Sequence, residues 1–296
     1  MRDIVPMSAD EFIRQQLDNL ARKLQLCFDG CHMLSLAGDI VFGVDDIIRD
    51  AVEFRKSQGP PCDKLTMLVT TDGGFIEVVQ RIVDVLRHHY NVVDFVVPNY
   101  AYSAGTVLVM SGDAIKMDYY SRLGPIDPQF QSINNKMVSG VGYLKQWEAL
   151  KEKSRKGELT TAEVALLQKL DLAELDAYEQ ARELSIALLK EWLTKYKFRT
   201  WVVTDGTAQV VDDDMRKRRA EEIAKELNNT DRWHVHGYGI SMDVLSRDLR
   251  LKIDNIEDDP KLALCVKNYH TLLTDYMGKL GQSGIVHSVG FYFPYA

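Results

Sequence analysis

Ser103 lies in a run of small residues, Ala101-Tyr102-Ser103-Ala104-Gly105, in which only Tyr102 is large. It follows the β-branched apolar run Val92 to Val97, which reads as a buried strand ended by Pro98 and Asn99. It precedes Ala104 to Met110, whose residues suit a short buried helix stopped by Ser111-Gly112-Asp113. A serine at such a strand-to-helix junction can point its hydroxyl out of the turn. The helix behind it offers free backbone N–H groups and the positive end of its dipole. Those are the parts that hold a developing oxyanion in acyl transfer. The G-x-S-x-G elbow is not met, because Ala101 stands at the first glycine. Taken alone, the stretch reads equally well as a serine capping a packed helix.

The preceding elements place a second turn beside this one. Ser8-Ala9-Asp10-Glu11 is a capping box for a helix reaching about Cys27. His32 to Ala37 reads as a strand, and Val44 to Lys56 has helical periodicity broken by Gly59-Pro60-Pro61. Lys64 to Thr71 is the next strand. Asp72-Gly73-Gly74 then turns into a helix over Phe75 to His88, with Ile76, Val79, Val83 and Leu86 inward. After Ser103, Ala114 to Met117 is a further strand. Helical crossovers of a dozen residues or more favour parallel strands wound right-handedly. Ligands bind such sheets beyond the carboxyl ends of the strands, where both turns lie. The glycine pair allows close approach of a backbone and directs N–H groups at a ligand.

Composition sets the outer bounds. The chain has 296 residues, 46% hydrophobic and 27% charged, ordinary for a globular protein with a full core. A net charge of -7 argues against a nucleic-acid-binding surface. The basic run Met215 to Arg219 follows Asp212-Asp213-Asp214, which reads as a solvated helix start. Cys27, Cys31, Cys62 and Cys265 fit neither a zinc pattern nor a disulfide framework, so free thiols in a reducing cytoplasm are expected. No apolar run approaches the roughly 18 residues of a membrane span. No metal, cofactor, nucleic acid or membrane span is expected.

After Pro128 the pattern changes. Gln129 to Gly142 is polar and irregular, and Leu144 to Lys153 reads as a short lysine-rich helix. Thr160-Thr161-Ala162-Glu163 caps a long helical region to about Lys195. Trp201 to Val211 reads as a β-excursion around Asp205-Gly206. Helices are expected over Lys217 to Leu227, Ser241 to Leu249 and Asp259 to Met277, with a loop over Trp233 to Ile240. The run Phe291-Tyr292-Phe293-Pro294-Tyr295 is expected to dock on its own domain or on a neighbouring subunit. The division that follows is a core over 1–130 and a mainly helical part over 131–296.

Four segments together resemble a known superfamily: Leu36 to Ile40, Asp72-Gly73-Gly74, Ala101 to Gly105, and Ser121-Arg122-Leu123-Gly124-Pro125-Ile126-Asp127-Pro128-Gln129. They fall in the order of the Clp-protease/crotonase fold and look most like the serine dehydrogenase proteinase family, relatives of signal peptide peptidase A. The resemblance implies an α/β fold with a spiral β-α core and a helical C-terminal extension. It implies a cytoplasmic serine hydrolase, a peptidase acting on peptide or protein substrates, needing no cofactor and forming homo-oligomers. By the same resemblance Ser103 is the nucleophile, and the N–H groups of Gly74 and Ala104, helped by Gly73, bind the oxyanion. Asp72 departs from the proline found before the glycine pair in many relatives.

The general base is not fixed by these segments. Clp proteases use a histidine some 20-odd residues after the serine, and this chain has none there. Signal peptide peptidases use a lysine ahead of a Thr-x-x-Glu helix start ending in Gln, a pattern that Thr160, Glu163 and Gln168 fit. That resemblance points to Lys151, with Lys153, Lys145 and Lys156 as neighbours, although lysines in such a helix are ordinarily solvated. His234 and His236 are a more distant route, their plainer reading being loop packing under Trp233 and Tyr238. Two rival functions share the fold: an inactive interaction scaffold, and a crotonase-like acyl-CoA enzyme that would not need Ser103.

Overall fold

A computed structural model describes residues 7–58, 60–127, 129–131, 137–167, 172–204 and 208–295. Pro128, Gln168 and the Asp205-Gly206 turn lie outside them. The chain runs α1 (Ala9–Cys27), β1 (His32–Ala37), α2 (Val44–Ser57), β2 (Lys64–Thr70), α3 (Ile76–His89), β3 (Val92–Val96), β4 (Tyr100–Ala101), α4 (Ala104–Met110), β5 (Ala114–Met117) and β6 (Arg122–Leu123). It continues through β7 (Gln129–Gln131), β8 (Met137–Ser139), α5 (Gly140–Lys156), α6 (Thr161–Leu167) and α7 (Leu172–Trp192), which ends in a π-helical turn over Leu193–Lys197. Then follow α8 (Asp213–Leu227), α9 (Thr230–Trp233), β9 (Ile240–Ser241), α10 (Met242–Arg247), β10 (Asp254–Asn255), α11 (Pro260–Leu280), β11 (Gly284–Ser288) and β12 (Phe291–Tyr295).

Side-chain chemistry sets these boundaries. Ser8 and Glu11 make the reciprocal bonds of a capping box at the start of α1. Thr160 and Glu163 do the same at α6, with the Thr160 N–H 2.8 Å from Glu163 Oε2 and the Glu163 N–H 3.3 Å from Thr160 Oγ1. Asp212 caps α8, so the Asp212 to Asp214 run does open a helix. Asp259 caps α11, with Pro260 at its first position.

Among the described residues, seven strands form one sheet in the order β10-β5-β3-β2-β1-β11-β12. β10, β5, β3, β2 and β1 are parallel, as the helical crossovers require. Successive strand residues face opposite layers. On β1, Leu34 and Leu36 belong to the core shared with α2, α3, α4, α7 and α8, while Met33 and Ala37 belong to the core shared with α1 and α11. Burial on both faces explains why these strands read as continuous apolar runs rather than alternating ones.

The aromatic tail docks on its own domain by joining the main sheet. It forms β12, which pairs antiparallel with β11, and β11 pairs antiparallel with β1. The last strands therefore complete the sheet that the first strands begin. The short length of β11 and the glycines flanking it hid this hairpin behind the end of α11. The stretch Gln129 to Gly142, read as irregular, instead contains β7 and β8, which pair antiparallel.

One buried polar contact ties stability to pH. His32, 4% exposed, bonds the Tyr90 hydroxyl at 2.9 Å through Nδ1. Burial, with Arg55 and Lys56 nearby, pulls its pKa from 6.5 down to about 4. The unfolded chain therefore takes up this proton at higher pH than the folded chain does. The stabilisation is complete above pH 6.5 and is lost as pH falls towards 4, by about 3 kcal/mol. Urea unfolding at pH 7.5 and 4.5 should show a smaller acid loss in His32→Gln than in the unaltered protein; equal losses would refute this assignment.

Candidate active site

The site begins where β2 ends. Thr71 continues the strand alignment towards β4: its N–H donates to the Tyr100 carbonyl at 3.1 Å, and its carbonyl accepts from Tyr102 N–H at 3.0 Å. This holds the Gly73-Gly74 turn against the turn that enters α4. The approach leaves no room for side chains. A Cβ on Gly73 would lie 2.8 Å from Ser103 Cβ, and one on Gly74 would lie 2.1 Å from the Ile40 carbonyl oxygen. Both glycines have positive φ, 119° and 143°.

Ser103 has φ 53° and ψ -121°, a conformation that non-glycine residues adopt at a cost of about 1–3 kcal/mol. The strained turn of a nucleophile elbow is thus present although the first glycine of its motif is missing. No bond from Ser103 Oγ caps the helix, so the helix-capping reading fails. Among the described residues, the N–H groups of Gly74 and Ala104 have no intrachain partner. The Gly73 N–H is engaged by Thr71 Oγ1 at 3.0 Å, so Gly73 contributes its lack of a side chain rather than a free donor. Unpaired backbone N–H groups in two adjoining turns, on Gly74 and Ala104, are what an oxyanion needs.

A small second sheet sets the other walls. β4 pairs parallel with β6, and β6 pairs antiparallel with β9, with Leu123 opposite Ile240. The residues after β4, the residues after β6 and the residues before β9 therefore leave the same end of this sheet. They include Ser103, Asp127 and His236. A Cβ on Gly124 would lie 2.8 Å from the Tyr102 ring. Asp127, 1% exposed, bonds His236 Nδ1 through Oδ1 at 2.8 Å, and the His236 side chain is 11% exposed. A carboxylate on Nδ1 fixes the tautomer and leaves Nε2 as the acceptor.

The lysines stand differently. Lys151 is on α5, with Nζ 2.6 Å from Glu148 Oε1 and 5.8 Å from the centre of the Trp147 ring. Lys145 pairs with Asp231 at 2.5 Å, Lys153 with Glu163 at 2.6 Å and Lys156 with Glu152 at 3.2 Å. The bond to Glu163 raises the Lys153 pKa, opposite to what a base requires. His234 is exposed, with φ 63°. Trp233 donates from Nε1 to the Glu226 carbonyl at 2.7 Å and packs its ring on Tyr238.

One contributor was not singled out in the sequence. Thr106 is wholly buried, and its Oγ1 accepts from Gly124 N–H at 2.9 Å and lies 2.8 Å from the Ala101 carbonyl oxygen. It fastens α4 to the segment carrying Asp127, and its only sequence signal is one hydroxyl among apolar helix residues. Asp72 has its pKa raised by burial and by Asp39. The two carboxylates give the mouth of the site an acidic character. Among the described residues, no group of three or more His, Cys, Asp or Glu could hold a metal ion.

A model of the ClpP-like SDH-type serine proteinase family matches residues 43–207, more than half of the chain. The chain belongs to this family. The match takes in Ser103, Asp127 and Lys151 and stops before His236. Two uncharacterised proteins of Methanocaldococcus jannaschii are similar to this SDH-type chain. One is 36% identical over 84 residues, which is 28% of this chain and 29% of the relative. The other is 28% identical over 127 residues, 43% of this chain and 39% of the relative. The SDH-type chain thus matches well under half the length of either. Among solved structures, ClpP1 from Listeria monocytogenes is 12% identical with a TM-score of 0.43, over 84% of this chain and 98% of that one. A membrane-bound stomatin-specific protease, in a lysine-to-alanine mutant bound to a substrate peptide, is 14% identical with a TM-score of 0.45, over 74% and 72%.

The strain at Ser103 can be measured directly. Ser103→Gly should be more stable than Ser103→Ala by about 1 kcal/mol in denaturant unfolding, because glycine alone relieves φ 53°. Equal stability of the two would mean that the turn is not held in this conformation.

Proposed function

We propose that this SDH-type chain is a serine peptidase acting on peptide or protein segments through an acyl-enzyme. The observation that carries this reading is the strained Ser103 turn facing Gly73-Gly74, with free N–H groups on Gly74 and Ala104. Ser103 Oγ attacks the scissile carbonyl carbon as a base takes its proton. The carbonyl oxygen becomes an oxyanion held by the Gly74 and Ala104 N–H groups. Collapse expels the amine with the transferred proton, and water then releases the acyl group by the same route.

For the base, the sequence favoured a Ser-Lys dyad through Lys151. A lysine base needs a desolvated amine. Lys151 is instead 38% exposed and paired with Glu148. The buried Asp127–His236 pair leaves from the same sheet end as Ser103 and supplies an oriented imidazole, which favours His236 as proton acceptor with Asp127 orienting it.

A fluorophosphonate probe should label the unaltered protein and not Ser103→Ala. Labelling of neither would favour an interaction scaffold, and acyl-thioester turnover retained in Ser103→Ala would favour a crotonase-like enzyme. His236→Gln should slow labelling by about 10²-fold or more, and Lys151→Met should leave it nearly unchanged. The reverse pattern would restore the Ser-Lys dyad.

A further inference from the structure

A second site lies at the amino edge of the sheet, away from the carboxyl-edge turns around Ser103. A cleft of about 570 Å³ opens between the start of β5, the π-helical turn after α7, α8 and the segment leading into β10. Its volume suits a small molecule. Its ion pairing leaves cations over, in a chain of net charge -7. Four cations line it: Lys197, Arg219, Arg250 and Lys252. The carboxylates beside them already have partners. Asp113 takes Arg87 at 2.7 Å on one oxygen and Arg199 at 2.7 Å on the other. Glu222 takes Arg219 at 2.6 Å, and Asp254 takes Lys116 at 3.2 Å. Among the described residues, no carboxylate pairs with Lys197, Arg250 or Lys252. Cations focused in a cleft attract and concentrate anions.

The backbone is bent to produce this arrangement. The π-helical turn over Leu193–Lys197 ends on Lys197, and such turns gather at functional sites. Arg250 has φ 46°, a left-handed conformation that an arginine adopts only when held there. Burial lowers the Lys197 pKa to about 8 against the pull of Asp254 and Asp94, a cost that a bound anion would offset. The cleft also carries a flat apolar wall. Trp201 is partly exposed on it and is braced edge-on by the buried Phe198, with ring centres 5.7 Å apart.

We propose that this cleft binds a ring-bearing polyanion of the nucleoside phosphate class. The phosphates would lie against Lys197, Arg250 and Lys252 and the ring against Trp201. Because the lining carboxylates are engaged, no divalent cation is needed to hold the phosphates.

Calorimetric titration of the whole chain with ATP in EDTA tests this, with tripolyphosphate and adenosine as probes lacking one half of the chemistry. ATP should bind saturably with a Kd below about 1 mM, weaken as salt rises, and exceed both partial probes. Lys197→Met and Arg250→Gly should each weaken ATP about tenfold or more; the glycine also relieves the left-handed strain, so that variant should fold at least as well. Trp201→Leu should weaken ATP and leave tripolyphosphate unchanged. Absence of saturable ATP binding, or equal affinity in the charge variants, would overturn the site. Tripolyphosphate binding as tightly as ATP would overturn the ligand class.

Discussion

The proposed catalytic geometry depends on how closely the end of β2 approaches the turn before α4. That distance is set by atoms that are missing. Gly73 abuts Ser103, and a Cβ on Gly105 would lie 2.4 Å from the Thr71 methyl. Both glycines are needed for Thr71 to hydrogen-bond on either side of Tyr100 and Tyr102. Any widening would separate the Gly74 and Ala104 N–H groups, which must converge on one oxygen. The strain at Ser103 persists because the surrounding bonds over-determine the turn.

The remaining layers serve to keep that approach rigid. α4 is buried along its whole length, so Ser103 stands on a helix with no freedom to tilt. The Thr106 hydroxyl spans from that helix to Gly124, and Ser121 bonds the Val97 carbonyl at 2.5 Å. The segment carrying Asp127 is therefore fixed to the end of β3 as well as to α4. His236 then inherits its position from a carboxylate that is itself buried. An imidazole held this way differs in kind from the lysines of α5, whose ion pairs are made at the protein surface and contribute little.

The sequence made the parallel core legible because its signals are local. Apolar runs, capping boxes and glycine breaks marked α1 to β3, α4 and β5 to within a residue or two, while the two-residue β4 reads as loop. The Ser103 turn was readable as a junction, and its positive φ was not, because that angle is imposed by Thr71 and Gly73 from another strand. β11 and β12 were hidden for a related reason. Their partner β1 lies at the far end of the chain, and an aromatic run does not announce which edge it will join. The choice between lysine and histidine was equally non-local. Asp127 and His236 are 109 residues apart, and the pairing of β6 with β9 helps bring them together.

The same long-range closure has a consequence for how the molecule forms. The Tyr295 hydroxyl donates to the Asp39 carbonyl, 256 residues away in sequence, and its ring lies against Gly284. Asp39 adjoins Ile40, whose carbonyl accepts from Phe75 N–H and anchors the glycine turn. During synthesis, β1 must wait for these residues with one edge open, and an open edge can recruit a strand from another chain. Contacts of such separation also form slowly. A ribosome-bound intermediate would thus hold a nearly finished α/β core that is exposed to mispairing along β1. The proposed catalytic centre would be braced only once β11 and β12 have joined β1.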